Sequence, residues 1–557
     1  MWPMNAQEVV NACGGECSNL KLRDLEIFGA TNDSRSIKKN ELYVAIKGDN
    51  FDGHNFISQV LKIENVIALV EKTWPGYQNL SDDFKARCIK VDSVLTGFRN
   101  LAKEFRSLLG KNNYVVFGIG GSNGKTTTKE MLAAILASKA PPQKDSIDKN
   151  SGEKKCRGYA ENVSRTEKSQ NGYLGVALTL CKREHSSNSS IHSLVLEIGI
   201  DETGAMESHV SICQPDIVLL TAMGPEHLAG LGTWENGQEE EYKLFTMGNP
   251  LKARIWQLDD EYLWNKRADI SDASKKFKLV GASVRGDSWV LNIQNLAAFE
   301  QISGGKNADD FLDSKYNQLN RKCNHLVYQV VKNNAESSHV LLLWKSQSVA
   351  NSGKSQSEID GENSTFELTV PLPGLHNVQN FALACAAALS SGLTVDELKK
   401  GWETFVPPEM RSKVTKILNG ITLYDDCYNA SPSSMEAGLA SLAVPEWELL
   451  PKLVVLGDML DLGVESKKWH LLLIDSVAKL KNTDLCLYGD AMKDVYEALK
   501  NRHGTIESKF RSLVWKSRAE NPAEFASLLG DNSLVFVKGS RGMDLGRVVS
   551  AVTLLKR

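Results

Sequence analysis

At 557 residues the chain is too long for one ordinary hydrophobic core, so roughly two to four domains are expected. Its 42% hydrophobic and 24% charged residues are those of a globular chain, and a net charge of −3 offers no basic excess for nucleic acid. Ten cysteines occur without CxxC pairs or Cys/His clusters, which argues against a disulfide framework or a zinc site.

In chain order, the first 110 or so residues predict a small α/β unit, with strands over 41–46 and 66–70 and a closing amphipathic helix over 96–109. No apolar run reaches the roughly 20 residues of a membrane span. The N-terminal stretch MWPMNAQEVVNACGGE has neither a signal nor a transit pattern, so the protein stays where it is made unless a leader has been removed. From residue 114 the pattern changes to buried parallel strands over 114–119, 193–198 and 216–221, each ending in a polar or glycine-rich loop. Two polar stretches interrupt it: 140–170 reads as a long surface excursion and 346–364 as a flexible insertion between strands. Around the second, 289–296, 325–331, 339–344 and 365–370 alternate like antiparallel strands, a β-region appended to the central sheet. Helices follow over 381–389 and 395–405. A third α/β unit then starts near residue 408, with strands over 421–425, 452–456, 485–488 and 534–537. The expected fold is therefore α/β in three domains: a small N-terminal unit over 1–110, a mostly parallel ATPase-type sheet over 111–406, and a Rossmann-like sheet over 407–557.

The segment GIGGSNGKT, 118–126, lies between a predicted strand and a helical run over 127–137. That is the context of a phosphate loop, where glycines let amides converge on phosphate oxygens and the helix N-terminus adds its positive end. Gly121, Ser122, Asn123, Gly124, Lys125, Thr126 and Thr127 are the candidate nucleotide contacts, with Lys125 for the outer phosphates and the Thr126 hydroxyl for Mg²⁺. Ile119 stands where a strict Walker A has its first glycine, and a glycine-rich turn with a chance GKT is the bland alternative. The loop alone does not choose between a kinase, a GTPase and a ligase.

Five segments narrow that choice: GSNGKTTTKE (121–130), LEIG (196–199), GLHNVQN (374–380), DDCYNASPSSM (425–435) and GDMLDLG (457–463). Their order resembles the Mur ligase family, and within it the member that joins D-alanyl-D-alanine to a UDP-N-acetylmuramoyl-tripeptide. DSR (33–35), YVAIKG (43–48), DGHNF (52–56) and KGS (538–540) fit as well. The resemblance implies a three-domain ligase that uses ATP and Mg²⁺ to form an acyl phosphate, which the amine of a dipeptide attacks. By that resemblance Glu197 and His227 join Thr126 as metal ligands, Asn377 and Asn380 meet the adenine, and Arg411 and Asp426 reach ATP from the third domain. Asn429, Ala430 and Ser431 would line the dipeptide site, while Ser34 and Arg35 would hold the uridine and diphosphate of a UDP-MurNAc-peptide. Some have a plainer alternative: a strand-end acid for Glu197, a loop histidine for His227, helix caps for Asn377 and Asn380, a turn for Asp426. The family further suggests a monomer without nucleic-acid partners, in the cytoplasm, or in a plastid that keeps peptidoglycan.

Two departures stand beside the chemistry. In the family a carbamylated lysine holds a second Mg²⁺, and counting from His227 to Phe245 puts Glu241 in its place, with Lys243 where the family has an acid. Glu241 could imitate the carbamate, although its side chain is three atoms shorter. The family also has paired asparagines after the loop helix. Here Asn171 is followed by Gly172, and losing one donor at a phosphate could cost about 3–4 kcal/mol of barrier. An active ligase with a variant metal site is therefore set against an impaired homologue kept as a nucleotide-binding scaffold.

Overall fold

The computed structural model describes residues 2–17, 23–48, 51–111, 114–139, 163–182, 193–247, 251–257, 260–266, 288–292, 324–345, 363–417, 420–501, 510–530 and 534–554. The N-terminal region has a four-stranded parallel sheet, Ala30–Thr31, Leu42–Val44, Ile67–Glu71 and Cys88–Val91, in that order. The strand expected over 41–46 ends early because the Ile46 amide turns back onto the Val44 carbonyl. The closing helix runs Val94–Lys111 and buries Val94, Phe98, Leu101, Ala102, Phe105 and Leu109 at helical spacing. That face joins the N-terminal core to the central one in a single apolar cluster, and the Arg106 guanidinium fixes the joint by pairing with Asp216 at 3.0 Å.

The central sheet has nine strands among the described residues. From one edge they are Asn363–Val370, Ser338–Lys345, Asn324–Asn333, Ser288–Asn292, Ala253–Gln257, Ile217–Leu220, Val115–Gly120, Ser193–Glu197 and Val163–Arg165. Only the first two pairings are antiparallel; every other is parallel. The strands expected near 289–296 and 325–331 therefore do not form an antiparallel pair but extend the parallel sheet. Residues 293–323 lie outside the described residues, as do 140–162 and 346–362. The remainder of the expected 140–170 excursion is no excursion: Val163–Arg165 is an edge strand, and Ser169 reaches the site.

The loop helix Lys125–Leu136 packs against helix Leu375–Ser390, which is buried almost all round from Asn377 to Ser390 and brings the GLHNVQN segment to the loop. The C-terminal sheet runs Lys413–Lys416, Thr422–Asp426, Leu534–Lys538, Lys452–Gly457, Thr483–Tyr488 and Phe510–Lys516, parallel except for the first pair. Lys413–Lys416 and Phe510–Lys516 are not among the expected strands. Both are edge strands whose lysines and arginines interrupt the apolar pattern that marks the inner four. No helix among the described residues is long and apolar enough to cross a membrane.

Candidate active site

The strand Val115–Gly120 ends between Ile217–Leu220 and Ser193–Glu197, so three carboxyl-terminal strand ends open at one point. Such crevices are where ligands bind in open α/β sheets. The loop makes a turn that only glycine tolerates: Gly121 and Gly124 have φ of 105° and 92°. A Cβ on Gly124 would overlap the Asn380 side chain, and one on Gly121 would overlap Thr221.

A cavity of about 510 Å³ opens beside the loop. It is lined by Ser122, Asn123, Gly124, Lys125, Thr126 and Thr127 from the loop, and by Asn171, Glu197 and His227 from neighbouring strand ends. Asn377 and Asn380 add a third side, and Arg411, Asp426 and Asn429 face them from the C-terminal domain. Most of the residues singled out in the sequence thus meet in one place, although the chain holds its two ends of the set far apart.

The loop side is already charge-satisfied. The Lys125 ammonium donates to the Gly121 carbonyl at 2.5 Å and to Glu226 Oε1 at 3.0 Å. Burial alone would lower its pKa, but Glu226, Glu241 and Glu197 outweigh that and raise it, so the ammonium stays charged. The Thr126 hydroxyl donates to Glu197 Oε1 at 2.9 Å, and Asn171 Nδ2 donates to the same oxygen at 2.9 Å. Glu197 Oε2 makes no hydrogen bond and faces the fully buried Lys129 ammonium at 3.3 Å. His227 adopts a φ of 51°, a left-handed backbone uncommon outside glycine, with Nδ1 3.9 Å from Asp461.

Two expectations are corrected here. Glu241 does not face the cavity. Helix Trp234–Thr246 buries Gly237, Glu240, Glu241, Leu244 and Phe245 on one face, and that register sends the carboxylate to the underside of the loop, where Oε2 accepts the Gly121 amide at 2.7 Å. A glutamate is too short to pass the loop backbone; Oε1 is left without a hydrogen-bond partner, and burial raises the pKa to about 7. Ala430 and Ser431 do not line the cavity either. Both are buried, and the Ser431 hydroxyl caps helix Pro432–Ser441 and donates to Asn123 Oδ1 at 2.7 Å. Ser431 is thus a strut between the loop and the C-terminal domain. Ser34 and Arg35 lie away from this cavity, on a turn after the first N-terminal strand, where Arg35 forks onto the Asp33 carboxylate at 2.9 Å and holds its pKa down to about 2.

Asn377 spends its amide on the Pro373 carbonyl at 2.7 Å while facing the cavity. Arg411 stacks on Tyr428 at 4.1 Å and reaches Ser169 Oγ at 3.2 Å, between Met410 and Ser412, both at positive φ. Asp426 pairs with the buried Lys538 ammonium at 2.5 Å and accepts the Ser412 amide at 2.9 Å. The GDMLDLG segment acts one layer back: Leu460 donates its amide to Ser540 Oγ, which in turn donates to the Ala430 carbonyl. Gly172 sits at the N-terminus of helix Tyr173–Leu180, and a Cβ there would meet nothing within 4 Å, so a longer residue has room.

Sequence reasoning missed Glu226, Lys129, Ser169, Tyr428, Lys538 and Arg541 as participants. Glu226 adjoins His227, and Lys129, Tyr428 and Lys538 lie inside quoted motifs, so neighbourhood was the signal available. Arg541 likewise follows the quoted KGS segment, whereas Ser169 carried no such signal. Hard oxygen donors, the Thr126 hydroxyl and the Glu197 carboxylate, fit Mg²⁺ held jointly with nucleotide phosphates. Among the described residues no cluster of three or more His, Cys, Asp or Glu side chains is assembled for a metal.

A P-loop sheet joined through one cavity to a Rossmann-like C-terminal sheet defines a nucleotide-dependent ligase architecture. Residues 119–309 match the Mur ligase middle domain and 410–541 the Mur ligase glutamate ligase domain. The UDP-N-acetylmuramoyl-tripeptide–D-alanyl-D-alanine ligase of Bacillus subtilis is 26% identical over 536 residues, covering 96% of this chain and 95% of its own. Among solved structures, MurF from Acinetobacter baumannii superposes with a TM-score of 0.71 at 21% identity, covering 99% of both chains. MurF from Thermotoga maritima, solved in complex with ADP, gives 0.64 at 20% identity over 95% of this chain and 98% of its own. The chain belongs to the Mur ligase family. These relatives are bacterial, which lends the plastid expectation no support.

Proposed function

We propose that the chain joins D-alanyl-D-alanine to a UDP-N-acetylmuramoyl-tripeptide, with ATP converted to ADP by way of an acyl phosphate, in peptidoglycan precursor synthesis. The observation that carries this reading is the convergence of the loop, the LEIG strand end and the DDCYNA and KGS segments on one cavity. The full-length relatives carry the same reaction in their names. Domains over 1–110, 111–406 and 407–557 would bind the nucleotide sugar, bind ATP and complete the ligase site.

Each residue has a role that follows from its chemistry. Lys125 exchanges Glu226 for the outer phosphates and neutralises their charge as the peptide carboxylate attacks. Thr126 and Glu197, with His227 at the cavity rim, would hold Mg²⁺, which when bound offsets the repulsion between two anions. Asn171 and Lys129 orient Glu197. Asn377 and Asn380 border the base, and Arg411 leans over Ser169 toward the phosphates. Asp426, fixed by Lys538, meets the nucleotide from the third domain. Asn429 remains the dipeptide-side residue of its segment, and Ser34 and Arg35 would serve the uridine diphosphate end, Arg35 by releasing Asp33.

A second reading, a catalytically impaired homologue acting as a nucleotide-binding scaffold, draws on Glu241 facing away from the cavity and on Gly172 offering no donor. Phosphate release with ATP, Mg²⁺, UDP-MurNAc-tripeptide and D-Ala-D-Ala separates the two. Turnover well above that of Lys125→Ala is expected. Equal rates in the two proteins, with ATP still bound by the wild type, would establish the scaffold reading.

A further inference from the structure

The C-terminal wall of the cavity carries two guanidinium groups that no carboxylate among the described residues answers. Arg411 and Arg541 both line the cavity, and among the described residues neither has an Asp or Glu within ion-pair distance. Asp426, the carboxylate that lines the same wall, is taken by the Lys538 ammonium and the Ser412 amide. Between the two arginines lies the Tyr428 ring, with Arg411 4.1 Å and Arg541 5.4 Å from its centre. Arg541 also donates from Nη1 to the Tyr428 hydroxyl at 3.2 Å. The two cations are not equivalent. Arg411 bonds to Ser169, itself 3.1 Å from the Thr126 hydroxyl, and so belongs to the phosphate end. Among the described residues Arg541 bonds only within the C-terminal domain, and it is exposed at the mouth.

Its backbone is held firmly. Ser540, the preceding residue, donates its amide to the Asp458 carbonyl and shares its hydroxyl between the Leu460 amide and the Ala430 carbonyl. A rigid backbone carrying an unneutralised planar fork beside a tyrosine hydroxyl is the arrangement that recognises a carboxylate bidentately.

Resting on the ligase reading, we propose that Arg541, assisted by the Tyr428 hydroxyl, receives the free carboxylate of the incoming dipeptide. It thereby selects an acceptor whose amine faces the acyl phosphate and whose acid end points to the cavity mouth. Arg541 is then a specificity residue: it touches the substrate far from the bond being made and acts on acceptor binding.

The test compares D-alanyl-D-alanine with its C-terminal amide as acceptors, at saturating ATP, Mg²⁺ and UDP-MurNAc-tripeptide. The wild type is expected to favour the free acid by about tenfold or more in kcat/KM, because the amide leaves the guanidinium unpaired. Arg541→Met should raise KM for the dipeptide by about tenfold, leave KM for ATP unchanged, and bring acid and amide to near-equal kcat/KM. Arg541→Lys should recover part of the preference. An Arg541→Met protein that keeps the wild-type ratio of acid to amide overturns the proposal, whatever its absolute rate. No turnover by the wild type would instead count against the ligase reading. Calorimetric binding of the two acceptors, with a non-hydrolysable ATP analogue and the UDP-tripeptide present, then decides the Arg541 assignment by the same ratio.

Discussion

The two walls of the cavity are built on opposite electrostatic plans. On the loop side every charge has a protein partner: Lys125 meets Glu226, Glu197 meets Thr126, Asn171 and Lys129, and Glu241 meets the Gly121 amide. On the C-terminal side Arg411 and Arg541 are held by aromatic stacking and neutral hydroxyls, with no carboxylate among the described residues opposite them. The loop side must therefore exchange partners when a nucleotide binds, whereas the C-terminal side has charge in hand. A buried cation cannot be left unpaired without a cost of several kcal/mol, so Lys125 in the nucleotide-free protein needs Glu226. Near the mouth, water screens the arginines and no such partner is required.

Substitutions can break or sharpen this contrast. The largest effect is expected at Lys125. Removing a positioned cation from a developing phosphate charge typically costs about 10²–10³-fold in kcat, so Lys125→Ala should nearly abolish phosphate release while the protein stays folded. A rate within a few-fold of wild type would remove the loop from the chemistry.

Glu241 comes next, through stability. Its folded pKa of about 7 lies above the ordinary carboxylate value of 4.5. The folded protein thus holds a proton there that the unfolded chain has lost, and stability falls as pH rises from about 4.5 to about 7. Above that window the penalty is about 3 kcal/mol. Glu241→Gln should therefore melt increasingly higher than wild type between pH 5 and pH 8. A gap in Tm that does not change with pH would mean that the carboxylate is ionised throughout.

Glu226→Gln tests the exchange of partners directly. With the competing carboxylate gone, ATP without Mg²⁺ should bind about tenfold tighter, roughly 1.4 kcal/mol, in a calorimetric titration. Weaker binding would show Glu226 helping the nucleotide rather than guarding Lys125. The smallest effect is expected for Gly172→Asn, where the open position admits the longer side chain. A rise of a few-fold in kcat would mark a restored phosphate donor, and an unchanged kcat would clear Gly172 of any part in lowering activity.

Much of the site was legible because it is local. A glycine-rich loop between a strand and a helix has one geometric outcome, so the positions of Lys125 and Thr126 followed from their neighbours. The strand-end placement of Glu197 followed from the apolar run before it. Asn171, Asn377, Asn380, Arg411 and Asp426 were found through motif order, and the fold brought them to the loop. Helical phase could have corrected Glu241, since it shares the buried face of Gly237, Leu244 and Phe245. Counting along the chain gives a residue's place but not its direction. The edge strands Lys413–Lys416 and Phe510–Lys516 escaped notice because one face of each is wet and charged.

By itself the sequence determined the three α/β units, the phosphate loop and the family, since each depends on short-range pattern or on motifs kept in order. Tertiary structure alone decided which side chains share the cavity. It turned Glu241 under the loop, made Ser431 a strut, set Glu226 on Lys125 and left Arg541 at the mouth with no carboxylate partner among the described residues. The physical reason is that pairing and burial are properties of the space between segments, and the partners here stand between 101 and 308 residues apart along the chain.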